Sequence, residues 1–194
     1  RGAPNTFVIG DMPFMSYQSS IEKAVENAGR FLKEADCDAI KLECGIRIAP
    51  QIKAIVEAGI VVMGHIGLTP QSSGQLGGHK AQGRTAETAA LVVNDALAVQ
   101  EAGAQMILLE AIPPEVGKYI TENLNIPVLS IGAGPHCDGQ LLIVSDTIGQ
   151  FQAFTPKFVK KYCNVAEMVT NAIKHYVAEV RTGRFPRPQH CYNM

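Results

Sequence analysis

Six short apolar runs, each followed by a segment of helical period, constrain this chain more than any other feature. They span residues 5–10, 38–43, 60–64, 105–109, 127–131 and 140–144. Nearly continuous apolar runs of this length suit parallel strands covered on both faces. The intervening segments predict helices over 21–35, 50–58 and 85–102, and from Pro113-Pro114 to just before Ile126. A last helix is predicted over 165–182. Ser19-Ser20 supplies a cap for the first, while Gly59, Gly103 and Gly183 stop three of the others. Glu57-Ala-Gly-Ile60 and Glu101-Ala-Gly-Ala104 repeat the same helix-to-strand phrase, and Ala35-Asp-Cys-Asp38 does that job without glycine. Such β-α repetition implies a parallel sheet. No composition shift marks a boundary. The chain reads as a single domain over 1–194, with a C-terminal helix and an extended terminal arm from residue 184.

An open doubly wound sheet and a (β/α)₈ TIM barrel both satisfy this alternation. The strand ends favour the barrel. Asp11, Glu43, His65, Glu110 and Asp146 each close an apolar run. In a barrel such positions converge on one mouth, whereas an open sheet spreads them along an edge. About six of eight βα units are present, so the other two are expected ahead of residue 1.

Asp11, Glu43 and Glu110 at one mouth offer hard oxygen ligands of the kind Mg²⁺ takes, one or two carboxylates with the rest water. A third carboxylate beside a metal-bound carbonyl suits a general base. The plainer reading makes each acid a helix cap or a solvated loop residue. Lys41 lies two residues before Glu43, so period two puts both on one face of a strand. A lysine inside a barrel needs an acid or an anionic substrate; the alternative is that it snorkels among the helices. Residues 64–83 are too long and glycine-rich for a plain connection and suggest a lid or binding loop. Ser130–Gly139 resembles a dinucleotide loop but fails at Pro135 and Cys137, and His136-Cys137 lacks distant partners for a soft metal. Val165, Met168, Val169, Ala172, Ile173, Tyr176 and Val177 form a helix packing face.

Composition narrows the class. Charged residues make up 18% of the chain against 46% hydrophobic, which excludes disorder. A net charge of −1 leaves no basic footprint for nucleic acid, and no apolar run approaches the ~20 residues that span a bilayer. Five cysteines, none in C-x-x-C spacing, read as free thiols in a reducing cytoplasm.

Several longer motifs are specific. Asp11-Met-Pro-Phe-Met-Ser-Tyr17, Lys41-Leu-Glu43, Gly64-His-Ile-Gly-Leu-Thr-Pro-Gln-Ser72, Gln82-Gly-Arg84, Leu109-Glu110, Gly132-Ala-Gly134, Cys137-Asp-Gly-Gln140 and Pro156-Lys-Phe-Val-Lys160 occur in order along the chain. Together they resemble the ketopantoate hydroxymethyltransferase family. The resemblance implies a (β/α)₈ barrel of the phosphoenolpyruvate/pyruvate superfamily, entered at about its third strand, and a decamer. It implies transfer of a hydroxymethyl group from 5,10-methylenetetrahydrofolate to 3-methyl-2-oxobutanoate, on the route to pantothenate and coenzyme A. By the same resemblance Glu110 is the catalytic proton acceptor. Asp11 and Glu43 hold Mg²⁺ or its waters, and Asp11, Lys41 and His65 bind substrate.

Three departures from the family pattern stand out. A first metal-binding Asp on an earlier strand has no counterpart here, Cys44 stands where Gly is usual, and Ser130 replaces a Gly before Ile131. Two further readings remain: another carbon–carbon lyase of the superfamily, and a non-catalytic paralogue serving as an assembly or binding subunit. The long loop lacks the cysteine expected of the first, and the missing Asp favours the second.

Overall fold

The computed structural model describes residues 2–192. Contacts divide the chain into two compact units, Arg1–Leu141 and Leu142–Met194.

The first unit holds six strands: β1 (Ile9–Asp11), β2 (Ala39–Glu43), β3 (Val61–Gly67), β4 (Met106–Glu110), β5 (Val128–Ile131) and β6 (Gly139–Gln140). Every neighbouring pair is parallel, and the strands lie in sequence order β1-β2-β3-β4-β5-β6. A doubly wound sheet reverses its strand order at a switch point. No reversal occurs here, so the sheet is part of a barrel wall.

Four helices connect the strands: α1 (Ile21–Ala35), α2 (Ala49–Glu57), α3 (Ala86–Glu101) and α4 (Pro114–Asn123). Their ends follow local chemistry. The Ser20 side chain accepts the Lys23 N–H, and Thr85 forms a capping box with Thr88, each satisfying a donor that the first turn leaves orphaned. Asp36 takes the left-handed conformation (φ 55°) that closes α1 where no glycine is present. Asp tolerates it better than most residues.

Period two divides the strand side chains. Ile40, Leu42, Val62, Ile66, Ile107 and Leu109 join the core against the helices. Lys41, Glu43, Met63, His65, Leu108 and Glu110 alternate with them on the other face. Gly64 sits where β3 and α3 approach most closely, since a Cβ there would run into Val99.

The second unit holds α5 (Val144–Thr147), α6 (Val165–Arg181) and a 3₁₀ turn over Pro188–His190. Three expectations change here. The apolar run 140–144 is not a strand: β6 ends at Gln140, and Val144 opens α5. A four- or five-residue apolar run carries no period that separates strand from helix. Asp146 is therefore a buried helix residue and not a strand end. The apolar stripe of α6 is exposed and no residue of that helix is buried, because period 3.6 fixes which residues share a face and says nothing of what covers it. Nor is the terminal arm simply extended. Phe185 lies edge-on to Tyr176 at 5.7 Å and 5.2 Å from the His190 ring, and His190 Nδ1 accepts the Arg187 N–H. The arm's last two residues lie outside the described residues.

Candidate active site

The sheet register builds the site. Asp11 on β1 pairs with Lys41 on β2, Glu43 on β2 pairs with His65 on β3, and Glu110 on β4 lies opposite Gly67. All five polar side chains share the face away from the helices, three at strand ends and Lys41 and His65 two residues inside theirs, and neighbouring strands bring them into contact. Lys41 Nζ lies 2.8 Å from Asp11 Oδ1 and 3.4 Å from His65 Nδ1. His65 Nδ1 is 3.6 Å from Glu43 Oε1, and its Nε2 is 2.9 Å from Glu110 Oε2. The run is continuous: Asp11, Lys41, His65, then Glu43 on one side and Glu110 on the other.

The members differ in depth. Side-chain exposure falls from 58% at Asp11 to 15% at Lys41 and 14% at Glu110, then to 4% at Glu43 and 3% at His65. Lys41 thus points to the site and does not snorkel among the helices. His65 is pulled two ways. Burial pushes its imidazole pKa down, and so does the Lys41 charge, but Glu110 and Glu43 together outweigh them and hold it above the ordinary value. The Nε2 contact to Glu110 at 2.9 Å is the closest polar contact of this buried ring.

β3 runs on through His65 to Gly67, three residues beyond the apolar run that predicts it. Gly67 has φ 86°, and a Cβ there would meet the Glu110 carbonyl oxygen. That close passage seats the start of the long loop on β4, where Leu68 N–H also bonds Glu110 O. The loop's 3₁₀ turn over Pro70–Ser72 then places Gln71 over Glu43: the Gln71 N–H donates to Glu43 Oε2 at 2.9 Å. Tyr17, fully buried, accepts the Glu43 N–H and donates to Gln71 Oε1; burial raises its pKa far above the ordinary phenol. Sequence reading assigns neither Tyr17 nor Gln71 a role. Their partners lie 26 and 54 residues away, and no spacing rule reaches that far.

All five cysteines are free. Cys44 directs its sulfur at Arg47 and Ser72, away from the acids. Asp11 and Glu43 offer hard oxygens at adjoining strand ends, Asp11 paired with Lys41 and Glu43 with the Gln71 N–H. Among the described residues no group of three or more His, Cys, Asp or Glu side chains closes into a metal cage. Two carboxylates without a closed cage fit a cation that keeps water and takes substrate oxygens, as Mg²⁺ does.

A family model described as ketopantoate hydroxymethyltransferase matches residues 1–188. The chain belongs to this family. The 3-methyl-2-oxobutanoate hydroxymethyltransferase of Alkaliphilus metalliredigens is 66% identical over all 194 residues, which span 68% of that protein. The enzyme of the same name from Syntrophobacter fumaroxidans is 54% identical, with 69% of its length covered. Among solved structures, 2,3-dimethylmalate lyase, a PEP mutase/isocitrate lyase superfamily member, shares 15% identity at a TM-score of 0.51; the match covers 97% of this chain and 66% of that one. A phosphonopyruvate hydrolase complex with oxalate and Mg²⁺ shares 14% identity at a TM-score of 0.52, covering 96% and 65%. These two likenesses speak to the fold alone: a parallel sheet in sequence order that forms part of a barrel wall.

Proposed function

We propose that this chain transfers a hydroxymethyl group from 5,10-methylenetetrahydrofolate to 3-methyl-2-oxobutanoate, with water, giving 2-dehydropantoate and tetrahydrofolate. One observation carries the reading beyond the family match. A cation, Lys41, and an accessible carboxylate, Glu110, flank the buried His65 at adjoining strand ends. An α-keto acid needs such an arrangement: an anchor for its carboxylate and a base for its C3 proton.

The residues divide the work. Lys41 binds the substrate carboxylate, and His65 lines the pocket between Lys41 and Glu110. Glu110 accepts the C3 proton; the C–H electron pair becomes the enolate, whose carbon then bonds to the one-carbon unit. A base acts only when held within hydrogen-bonding reach of that proton, and a strand end backed by His65 gives Glu110 such a fixed station. Asp11 and Glu43 are the residues that would hold Mg²⁺. When bound there, Mg²⁺ supplies Lewis-acid polarisation of the keto acid. The superfamily's lyase chemistry and a purely structural paralogue remain outcomes of the test. We take the six parallel strands, the first four each followed by a helix, as part of a single barrel domain. The decameric assembly and cytoplasmic setting expected from its family and free thiols accompany this reading.

The test follows the C3 proton of 3-methyl-2-oxobutanoate by NMR in D₂O with the 194-residue chain and Mg²⁺, without folate. Exchange is expected, and it is expected to vanish in Glu110→Gln. Exchange that persists in that variant removes Glu110 as the base. No exchange in the unaltered chain, and none in one extended upstream to its relatives' length, sinks the enzymatic reading.

A further inference from the structure

One residue of the Gly-rich loop after β3, Gln71, ties that loop to both β1 and β2. Gln71 makes three bonds of 2.9 Å to three different pieces of chain. Its backbone N–H donates to Glu43 Oε2 at the end of β2, its Oε1 accepts from the Tyr17 hydroxyl in the β1–α1 connection, and its Nε2 donates to Met12 O just past β1. The amide orientation is unambiguous, since the oxygen faces a hydroxyl and the nitrogen faces a carbonyl. Tyr17 is itself a fixed post: its ring is wholly buried and its oxygen also takes the Glu43 N–H at 3.1 Å. Glu43 is thus gripped at its backbone by Tyr17 and at its carboxylate by Gln71, and Gln71 and Tyr17 are bonded to each other.

We propose that Gln71 is a positioning residue. It clasps the loop of residues 68–84 to the strand ends and fixes the Glu43 carboxylate, with Tyr17 as the post it fastens to. A carboxylate with one oxygen held by a rigid N–H presents the other in one direction. His65 Nδ1 is the group beside that other oxygen, at 3.6 Å. Loosening the clasp frees Glu43 to rotate, and His65 and Glu110 lose their backing in turn. Outer partners of this kind commonly carry a 10–100-fold effect on activity. The clasp also explains how a glycine-rich loop is ordered where it meets the site.

The kinetic half of this proposal rests on the hydroxymethyltransferase reading; the structural half does not. Gln71→Met keeps the volume and removes both side-chain bonds, and Tyr17→Phe removes the post's hydroxyl. Trypsin cleavage after Lys80 and Arg84, mapped by mass spectrometry, reads the loop whether or not the chain turns over. Both variants are expected to be cut there several-fold faster than the unaltered chain. Equal cleavage rates overturn the clasp.

In the C3–H exchange assay, Gln71→Met is expected to lose about 10–100-fold in kcat, with a smaller change in KM because Lys41 is untouched. The Gln71→Met/Tyr17→Phe double variant is expected to lose little more than the worse single one. Gln71→Glu is expected to recover rate as the pH falls, because a protonated carboxyl again offers an acceptor and a donor; Gln71→Met has no such recovery. A kcat for Gln71→Met equal to that of the unaltered chain, or the same pH profile in both variants, overturns the positioning role. Silence in both the unaltered and the upstream-extended chain removes the hydroxymethyltransferase reading and leaves the trypsin arm to decide the clasp.

Discussion

Cys44 shows how one side chain can strain the backbone beside a site. Its φ is 83°, in the left-handed region that costs a residue with a Cβ roughly 1–2 kcal/mol. The resemblance at this position points to Gly, which meets no such cost. The Cys44 sulfur returns part of it through contacts with Arg47 Nη2 at 3.2 Å and Ser72 Oγ at 3.5 Å. Cys44→Gly is expected to raise unfolding free energy in urea by about 0.5–1 kcal/mol, the strain relieved less the added freedom of the unfolded chain. A loss would mean that the sulfur contacts dominate. Ser130, the second position that departs from Gly, has the opposite balance. It is wholly buried, and its Oγ accepts the Ala133 N–H at 2.9 Å. Ser130→Ala strands that donor in the interior and is expected to cost about 1–3 kcal/mol, read in the same titration.

The contact between α3 and the β2–α2 connection depends on a missing side chain. Gly45 faces Asp95 so closely that a Cβ would overlap the carboxylate, and Asp95 Oδ1 accepts the Ile46 N–H at 2.8 Å. Gly45→Ala is expected to destabilise by about 1–3 kcal/mol, the range for overpacking, seen as a lowered thermal midpoint. Burial, partly offset by the Ile46 N–H and by Arg47, raises the Asp95 pKa. The folded chain then holds this proton more tightly than the unfolded one, so the contribution to stability falls as pH rises from the ordinary carboxyl value through the raised one. Relative to Asp95→Asn, the unaltered chain is therefore expected to gain stability as the pH drops through that window. A difference that is flat with pH, measured by urea titration, would show that the carboxyl is not perturbed.

Elements with a local start or stop signal were legible in the sequence for the same reason that they form. Ser20, Thr85 and Pro114 act on backbone within a turn of themselves. Three of the five polar strand ends, Asp11, Glu43 and Glu110, were legible too, while His65 lies two residues inside β3 on the same face, where period two and parallel register still carry it to its neighbours. The fifth, Asp146, was lost with the ambiguous run before it. Tyr17 and Gln71 stood inside the longer motifs but without a role, because their meaning arises only when three connections meet over Glu43.

Across the whole molecule, the two units differ in how they protect their backbone. The strands of the first are backed by a continuous core in which Ile40, Leu42, Ile107 and Leu109 are fully buried. In the second, α6 has no buried residue, and Met168, Val169, Ile173 and Tyr176 are all more than half exposed. A helix held by its own hydrogen bonds opens at much lower cost than a packed strand. Hydrogen exchange followed by mass spectrometry is expected to label residues 165–181 well before β2, β3 and β4. Equal protection would show that the α6 stripe is covered in solution.

The ion pair between Asp11 and Lys41 gives the site's outermost groups a shared fate. The lysine that would greet an incoming carboxylate already holds one of the chain's own, on the side chain most open to water. An anion that claims the ammonium relaxes its grip on Asp11, and a cation drawn to Asp11 relaxes its grip on the lysine. If Lys41 takes the keto acid's carboxylate and Asp11 the Mg²⁺, as proposed, each guest would draw the bolt for the other, and the two halves of the doorway would open together more readily than either alone.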